Sequence, residues 1–372
     1  MSDLYRLYGA EFSLYSGKAR SYLRKKGISF EETTSTVDVY KKFIIPRTGV
    51  RYIPVVQTPD DLVIQDTTDI IDELERRFPD HSVYPETPKQ KLASLLLEVY
   101  ADEWLVIPAM HYRWNYPATN ADFIYREFGS MALPKMPGFI QKIIGKKIGD
   151  KFKGFVPTLG IVPENIDAIE RSYVGLLGEL QTHFEQHDFL FGSKPSIGDF
   201  GLIAPLYAHL FRDPAPGKLM RKKAPAVCDW VRRMNSDEAH LKSGEFIDDD
   251  QVPETLISVL NRMAREQLPV LQDTDRLLDQ WRVDNQDNQD NQEVERMIGM
   301  HEFTVEGVSA QRAVIPYSLW MFQRPVSFYQ SIQSLEELSE VDQLLNDIGF
   351  GDALKPKLKN PLVRHNNKLR FA

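Results

Sequence analysis

The stretch Tyr52-Ile53-Pro54-Val55-Val56, followed by Gln65-Asp66-Thr67, decides how this chain folds. A proline set among β-branched and aromatic residues is wrong for a central strand, because it has no N–H for the ladder. It fits the first residue of a strand, or a cis peptide in a tight turn. With Ile53–Pro54 cis, the N–H and C=O of Ile53 turn out from the sheet edge. There they offer one donor and one acceptor to an extended peptide. Pro59-Asp60-Asp61 reads as a turn and Leu62-Val63-Ile64 as a return strand. Asp66-Thr67 stands where that strand gives way to an amphipathic helix. The unsatisfied N–H groups of a helix start suit a carboxylate.

Upstream, residues 4–8 alternate as a first strand, and Ser13 to Lys26 reads as a helix with Leu14, Ala19, Tyr22 and Leu23 on one face. Gly27 stops that helix, and Ile28 to Glu32 is a second strand. Val37 to Ile45 is an irregular or helical link. The helix Thr67–Phe78 carries Ile70, Ile71, Leu74 and Phe78 on one side. The order βαβ then ββα is a thioredoxin-like layout, expected over 1–80, with a linker from Pro79 through His81–Pro88.

From Lys89 the texture is helical. Leu92, Leu95, Leu96, Val99, Tyr100 and Leu105 mark one amphipathic helix, and Asn165–His187 another. Residues 132–160, rich in Gly, Pro and Lys, read as an irregular insert. Ser196 and Asp199 form an S-x-x-D capping box that opens the apolar helix Phe200–Leu210. A further helix covers Ala224–Met234.

These motifs, in this order, resemble the glutathione S-transferase superfamily. Gly49 with Pro54-Val55-Val56 stands at its G-x-x-P-V segment, the glycine slightly further from the proline than usual. Asp66-Thr67 stands at its acidic–hydroxyl pair. Ser196–Asp199 stands at its G-x-x-x-S-x-A-D segment, with Gly198 for the alanine, and Ala224–Met234 at its P-x-V-x-x-W-x-x-R-M helix. The resemblance covers roughly 3–246. It implies an α/β thioredoxin-like N-terminal domain followed by an all-α C-terminal domain, here 89–246. A mostly helical extension, 247–372, follows.

The resemblance further implies glutathione as co-substrate and no metal. Ile53 and Pro54 would meet the cysteinyl backbone, Asp66 the γ-glutamyl amine, and Thr67 its carboxylate. Lys41, Lys42 and Arg51 are candidate partners for the glycyl carboxylate. Ser13 matches the active-site position of the serine and cysteine classes, with Tyr8, Tyr15 and Ser16 as rivals. A hydroxyl donating to sulfur at a helix start lowers a thiol pKa, and each unit is worth about 1.4 kcal/mol. Ser13 as a plain helix N-cap is the competing reading. A serine here disfavours the thiol-exchange chemistry of the cysteine classes. Trp104, Tyr112 and Trp114, with Tyr116, either fill core or line a pocket for an apolar or aromatic electrophile. A homodimer is the family's usual state.

Composition narrows the field. A formal charge of -8 over 372 residues argues against a general nucleic-acid binder. The single Cys228 excludes an intramolecular disulfide and suits a reducing compartment. It reads as an inert buried thiol. The first residues lack the apolar core of a signal peptide, and no run reaches the ~18 apolar residues of a membrane span. The expectation is a cytoplasmic protein with neither nucleic-acid nor membrane partners.

The extension reads as helix over Leu256–Arg282 with a break at Pro269, a strand near Phe303–Val308, and an aromatic helix bearing Tyr317, Trp320, Met321, Arg324, Phe328 and Tyr329. Asp284–Gln292 is a polar repeat expected as an exposed loop or helix end. Lys355–Arg370 is basic. Two functions fit: a transferase adding the glutathione thiolate to a small electrophile, or a non-catalytic binding protein that uses the extension. His183 and His187 flank Glu185 without the H-E-x-x-H order of a zinc protease, and read as a helix end.

Overall fold

The computed structural model describes residues 4–285 and 293–372. Its sheet runs in the order β2-β1-β3-β4, from β1 (Tyr5–Gly9), β2 (Phe30–Thr34), β3 (Val55–Gln57) and β4 (Val63–Gln65). β1 lies parallel to β2 and antiparallel to β3, with Leu7 opposite Val56. Both side chains are fully buried, as two central strands require. Helix α1 (Leu14–Lys26) is capped by Ser13, which accepts from the Ser16 N–H. It ends at Gly27, φ 67°, a left-handed position that glycine takes without a Cβ penalty. Helix α2 (Thr67–Arg77) packs beside it. The link from Val37 to Thr48 is helical, with a wider π turn at Tyr40–Ile44.

The second layer is helical: α3 (Pro88–Glu103), α4 (Val106–Trp114), α5 (Pro117–Ala132), α6 (Gly138–Lys153), α7 (Ile166–Phe184), α8 (Ile197–Pro205), α9 (Pro214–Lys223) and α10 (Pro225–Asn235). The expected irregular insert is corrected here, since most of 132–160 is helix α6, packed along α5. Its Gly145 sits where two backbones meet and its Gly149 against the Trp114 and Tyr125 rings, so both assist helix packing rather than break the helix. The capping box forms as expected. Asp199 accepts from the N–H groups of Ser196 (2.8 Å) and Leu190 (3.1 Å) and from the Trp230 indole (3.1 Å).

The extension comprises α11 (Glu254–Glu266), α12 (Leu268–Asp284), α13 (Pro316–Ser331) and α14 (Leu335–Asp347). Two antiparallel hairpins join them: β5 (Met300–Val305) with β6 (Val308–Ala313), and β7 (Leu362–His365) with β8 (Lys368–Phe371). The break falls at Gln267, and Pro269 sits in the first turn of α12, where its missing N–H costs nothing. The polar repeat lies, from residue 286 on, outside the described residues. α13 and α14 pack on α3, and α11 packs on α7. One apolar core runs from Tyr5 to Leu369 through all three segments.

Candidate functional site

The Ile53–Pro54 peptide is cis. Pro54, Val55 and Val56 are buried, and among the described residues neither backbone polar group of Ile53 has a hydrogen-bond partner. The half-buried Ile53 therefore presents a free donor and acceptor at the mouth of the sheet. At the next corner Asp66 adopts φ 88°, ψ 136°, a region costing a non-glycine residue about 1–3 kcal/mol. This conformation caps α2, the carboxylate accepting from the Thr68 N–H at 2.9 Å.

The four hydroxyls at the start of the chain have different occupations. Tyr8 donates to Gln57 Oε1 (2.9 Å) and stacks on Phe43, in a small cluster with Ile44 and Val55. Ser16 is fully buried and accepts from the Ala10 N–H. Tyr15 donates to the Asp102 carbonyl at 2.9 Å. Ser13 is half-buried, and its oxygen accepts from the Ser16 N–H at 3.3 Å, which leaves its proton free to be donated. Arg20 is structural: it is buried and grips Glu32 through two 2.6 Å bonds.

Residues 7–82 match the family described as glutathione S-transferase, N-terminal domain, and residues 162–238 match glutathione S-transferase, C-terminal domain. The chain belongs to the glutathione S-transferase superfamily. Among solved structures it is similar to the β-etherase LigF from Sphingobium sp. strain SYK-6, at 20% identity over 64% of this chain and 97% of that one (TM-score 0.43). A glutathione S-transferase from Methylobacterium radiotolerans, in complex with glutathione sulfonate, is 20% identical over 66% and 96% (TM-score 0.40). FzlA from C. crescentus is 17% identical over 62% and 88% (TM-score 0.39). No curated protein matches the sequence.

In this superfamily member the extension reaches into the site. The Tyr317 hydroxyl donates to Asp66 Oδ2 at 2.6 Å. Arg364 donates to the Gln65 carbonyl (3.2 Å), to Gln65 Oε1 (2.8 Å) and to Asp69. The Arg364 guanidinium also lies over the Trp320 ring, which neighbours Tyr317. Thr68 meets the Met321 sulfur, and Asn367 donates to the Thr48 carbonyl. Thr67 is 3% exposed beneath this cover. On the open side, Tyr52 and Arg51 face solvent, with Arg296 over the Tyr52 ring. Lys41 and Lys42 are exposed, and Lys42 reaches Asp38.

The aromatic group expected as core or pocket is core. Trp104 is 2% exposed, donating to Glu266 and packing on Phe303 of the extension. Tyr112 stacks on Tyr116 and meets Tyr173 at a tilt, and Trp114 lies on Phe128. Trp104, Tyr112 and Trp114 are thus all buried, Trp104 against Phe303 of the extension and Trp114 against Phe128 of α5. His183 is buried and bonded to Thr255 and the Phe189 carbonyl. Cys228 is buried, and burial pushes its thiol pKa up.

A buried ionic node joins the layers behind the site. Lys18 Nζ donates to Glu98 (2.7 Å) and Asp102, and Arg324 of the extension holds the other Glu98 oxygen (2.9 Å) and Asp72 (2.9 Å). Burial alone would push the Lys18 ammonium down, but the two carboxylates more than reverse this and raise it. Next to the node, burial and then the Asp102 charge push the Glu103 carboxyl up to about 8, against Arg312. Folded Glu103 thus keeps a proton that the unfolded chain releases above its ordinary 4.5. Its contribution is complete below 4.5 and is lost as pH rises toward 8. Glu103→Gln should flatten the fall in unfolding free energy across that window, by an amount on the order of a few kcal/mol. Urea titrations at the two ends of the window check this; parallel curves for both proteins would count against it.

Proposed function

We propose that this chain binds glutathione along Ile53 and at Asp66–Thr67, and that Ser13 stabilises the tripeptide's thiolate for attack on a small apolar or aromatic electrophile. The observation that carries this reading is the unpartnered Ile53 backbone beside cis-Pro54, with an uncommitted hydroxyl proton at the start of α1. Ile53 would pair with the cysteinyl N–H and C=O as one more strand residue. The first N–H groups of α2 suit the γ-glutamyl carboxylate, and Asp66 its ammonium. Ser13 would donate to the sulfur while the α1 N-terminus supplies positive potential, so that the thiol proton leaves to solvent near neutral pH. The electrophile would enter from the open side, past Tyr52.

Two substitutions test it. Ser13→Ala should lower turnover of a generic aryl halide by about 10²–10³-fold, the usual cost of losing one preorganised donor to a developing anion. Glutathione affinity should hold. Asp66→Ala should instead weaken affinity by about 1.5–3 kcal/mol, a bond to a charged group. Unchanged turnover in Ser13→Ala removes that residue from the mechanism.

The Tyr317 and Arg364 contacts favour a second reading, in which the extension occupies the γ-glutamyl end and the chain is a closed, non-catalytic member of the superfamily. Retention on immobilised glutathione without turnover of any aryl halide supports that reading over the first.

A further inference from the structure

We propose that the α5–α6 hairpin is a docking surface for an anionic lipid bilayer, independent of the glutathione site. The hairpin is built as a rigid unit. A Cβ at Gly145 would come within 1.8 Å of the Tyr125 carbonyl oxygen, and one at Gly129 within 2.0 Å of the Gln141 carbonyl oxygen. The helices therefore touch backbone to backbone, and larger side chains would part them. On the opposite side of α6, large apolar side chains are exposed. Phe139 is 69% exposed, Ile143 65% and Met136, in the preceding loop, 41%. Phe155, just past the end of the helix, is also half-exposed, whereas Phe152 stacks on Phe128 of α5.

Charge identifies the partner. Residues 135–153 hold six lysines (135, 142, 146, 147, 151, 153) against one acid, Asp150, in a chain whose net charge is -8. Among the described residues, only Lys142 and Lys146 have carboxylates within ion-pair distance, Asp122 and Asp150. The remaining four are uncompensated cations on an acidic protein.

A protein partner is the poorer fit, because the centres of protein interfaces are depleted in lysine. A bilayer surface suits both components. Phe and Ile enter about 5–10 Å into the headgroup–acyl boundary, while lysines remain at the phosphates on their flexible stems. Each basic residue near an anionic surface is worth about 1 kcal/mol. The acidic remainder of the chain is repelled by the same surface, which orients the hairpin toward it. Such contact needs no spanning segment, and among the described residues no helix is long and apolar enough to cross a membrane.

Co-sedimentation of the full chain with phosphatidylcholine vesicles, with and without phosphatidylglycerol, tests the proposal. The expected result is binding to the anionic vesicles, weakened by salt and at least about tenfold weaker on the neutral ones. F139E/I143E should lose binding by more than about tenfold, because it removes apolar insertion and adds repulsion. Both side chains face solvent, so thermal unfolding should match the parent protein. K147E/K151E should weaken anionic binding while leaving any residual neutral binding unchanged. No wild-type binding to anionic vesicles, or equal binding by F139E/I143E, would overturn the proposal. So would a dimer that F139E/I143E dissociates without any vesicle binding, which would make the face an interface between copies.

Discussion

Lys18→Met should lower the unfolding free energy by about 3–5 kcal/mol, the cost of stranding buried charge when one partner is removed. Lys18 is 0% exposed and stands between Glu98 (0%) and Asp102 (3%). Methionine fills the same space, so lost packing contributes little. The loss comes from two carboxylates left in a buried junction, with Arg324 holding only the far side of Glu98. Asp102 shows the sign of the pH dependence. Burial already holds its carboxyl up at about 6 against the pull of Lys18, and without Lys18 it rises further. A carboxyl raised in the folded state loses stability as pH rises. The penalty of Lys18→Met should therefore be largest at neutral pH and shrink toward pH 5, where the variant can take up a proton. Urea unfolding at the two pH values measures both effects. A loss under about 1 kcal/mol, or one independent of pH, would mean that water reaches the junction.

This node also marks a limit of what can be read from the chain itself. The thioredoxin-like half was legible because its signals are local: a proline that no central strand tolerates, a glycine after a periodic run, an acidic–hydroxyl pair at a helix start. The S-x-x-D box was legible for the same reason. Lys18 carried a weaker signal, since it stands four residues from both Leu14 and Tyr22 and so on their buried face. Glu98 and Asp102, four apart within the apolar stripe of α3, carried its complement. A charge on an apolar face predicts a partner without saying which, and here one partner, Arg324, lies 226 residues from Glu98. The α6 helix is hidden in the sequence because glycine and proline ordinarily break helices. In α6 Gly145 serves backbone contact with α5, and Pro137 lies just before the first turn. At the site, the resemblance puts Ser13 ahead of Tyr8, Tyr15 and Ser16, but the residues alone do not say which of the four hydroxyls is free. Ser13 and Ser16 have local partners, but the occupations of Tyr8 and Tyr15 depend on Gln57 and Asp102, 49 and 87 residues away.

The reach of the extension into the site leads to the second large effect. Tyr317→Phe should tighten glutathione binding by about 10–100-fold if the γ-glutamyl end is to be filled at Asp66. The carboxylate that would accept the ligand's ammonium already accepts the Tyr317 hydroxyl at 2.6 Å, and Thr67 beside it is nearly sealed. A ligand entering there must first break that bond. A hydrogen bond to a charged group is worth about 1.5–3 kcal/mol, and every 1.4 kcal/mol is tenfold in affinity. Apparent affinity scales with the fraction of molecules whose site is open, so weakening the closed form raises it directly. Phenylalanine keeps the ring beside Trp320, so the fold and the remaining extension contacts should persist. Arg364→Ala supplies a second arm: Arg364 hydrogen-bonds Gln65 and Asp69 and lies 3.8 Å from Asp66 Oδ2, so its loss also loosens the extension over that carboxylate. Both variants should gain affinity in calorimetric titration with glutathione. If Tyr317→Phe binds more weakly than the parent, the hydroxyl belongs to the binding surface and the extension completes the site. If neither variant changes affinity, the tripeptide does not compete with the extension, and binding at Asp66–Thr67 fails along with the gate.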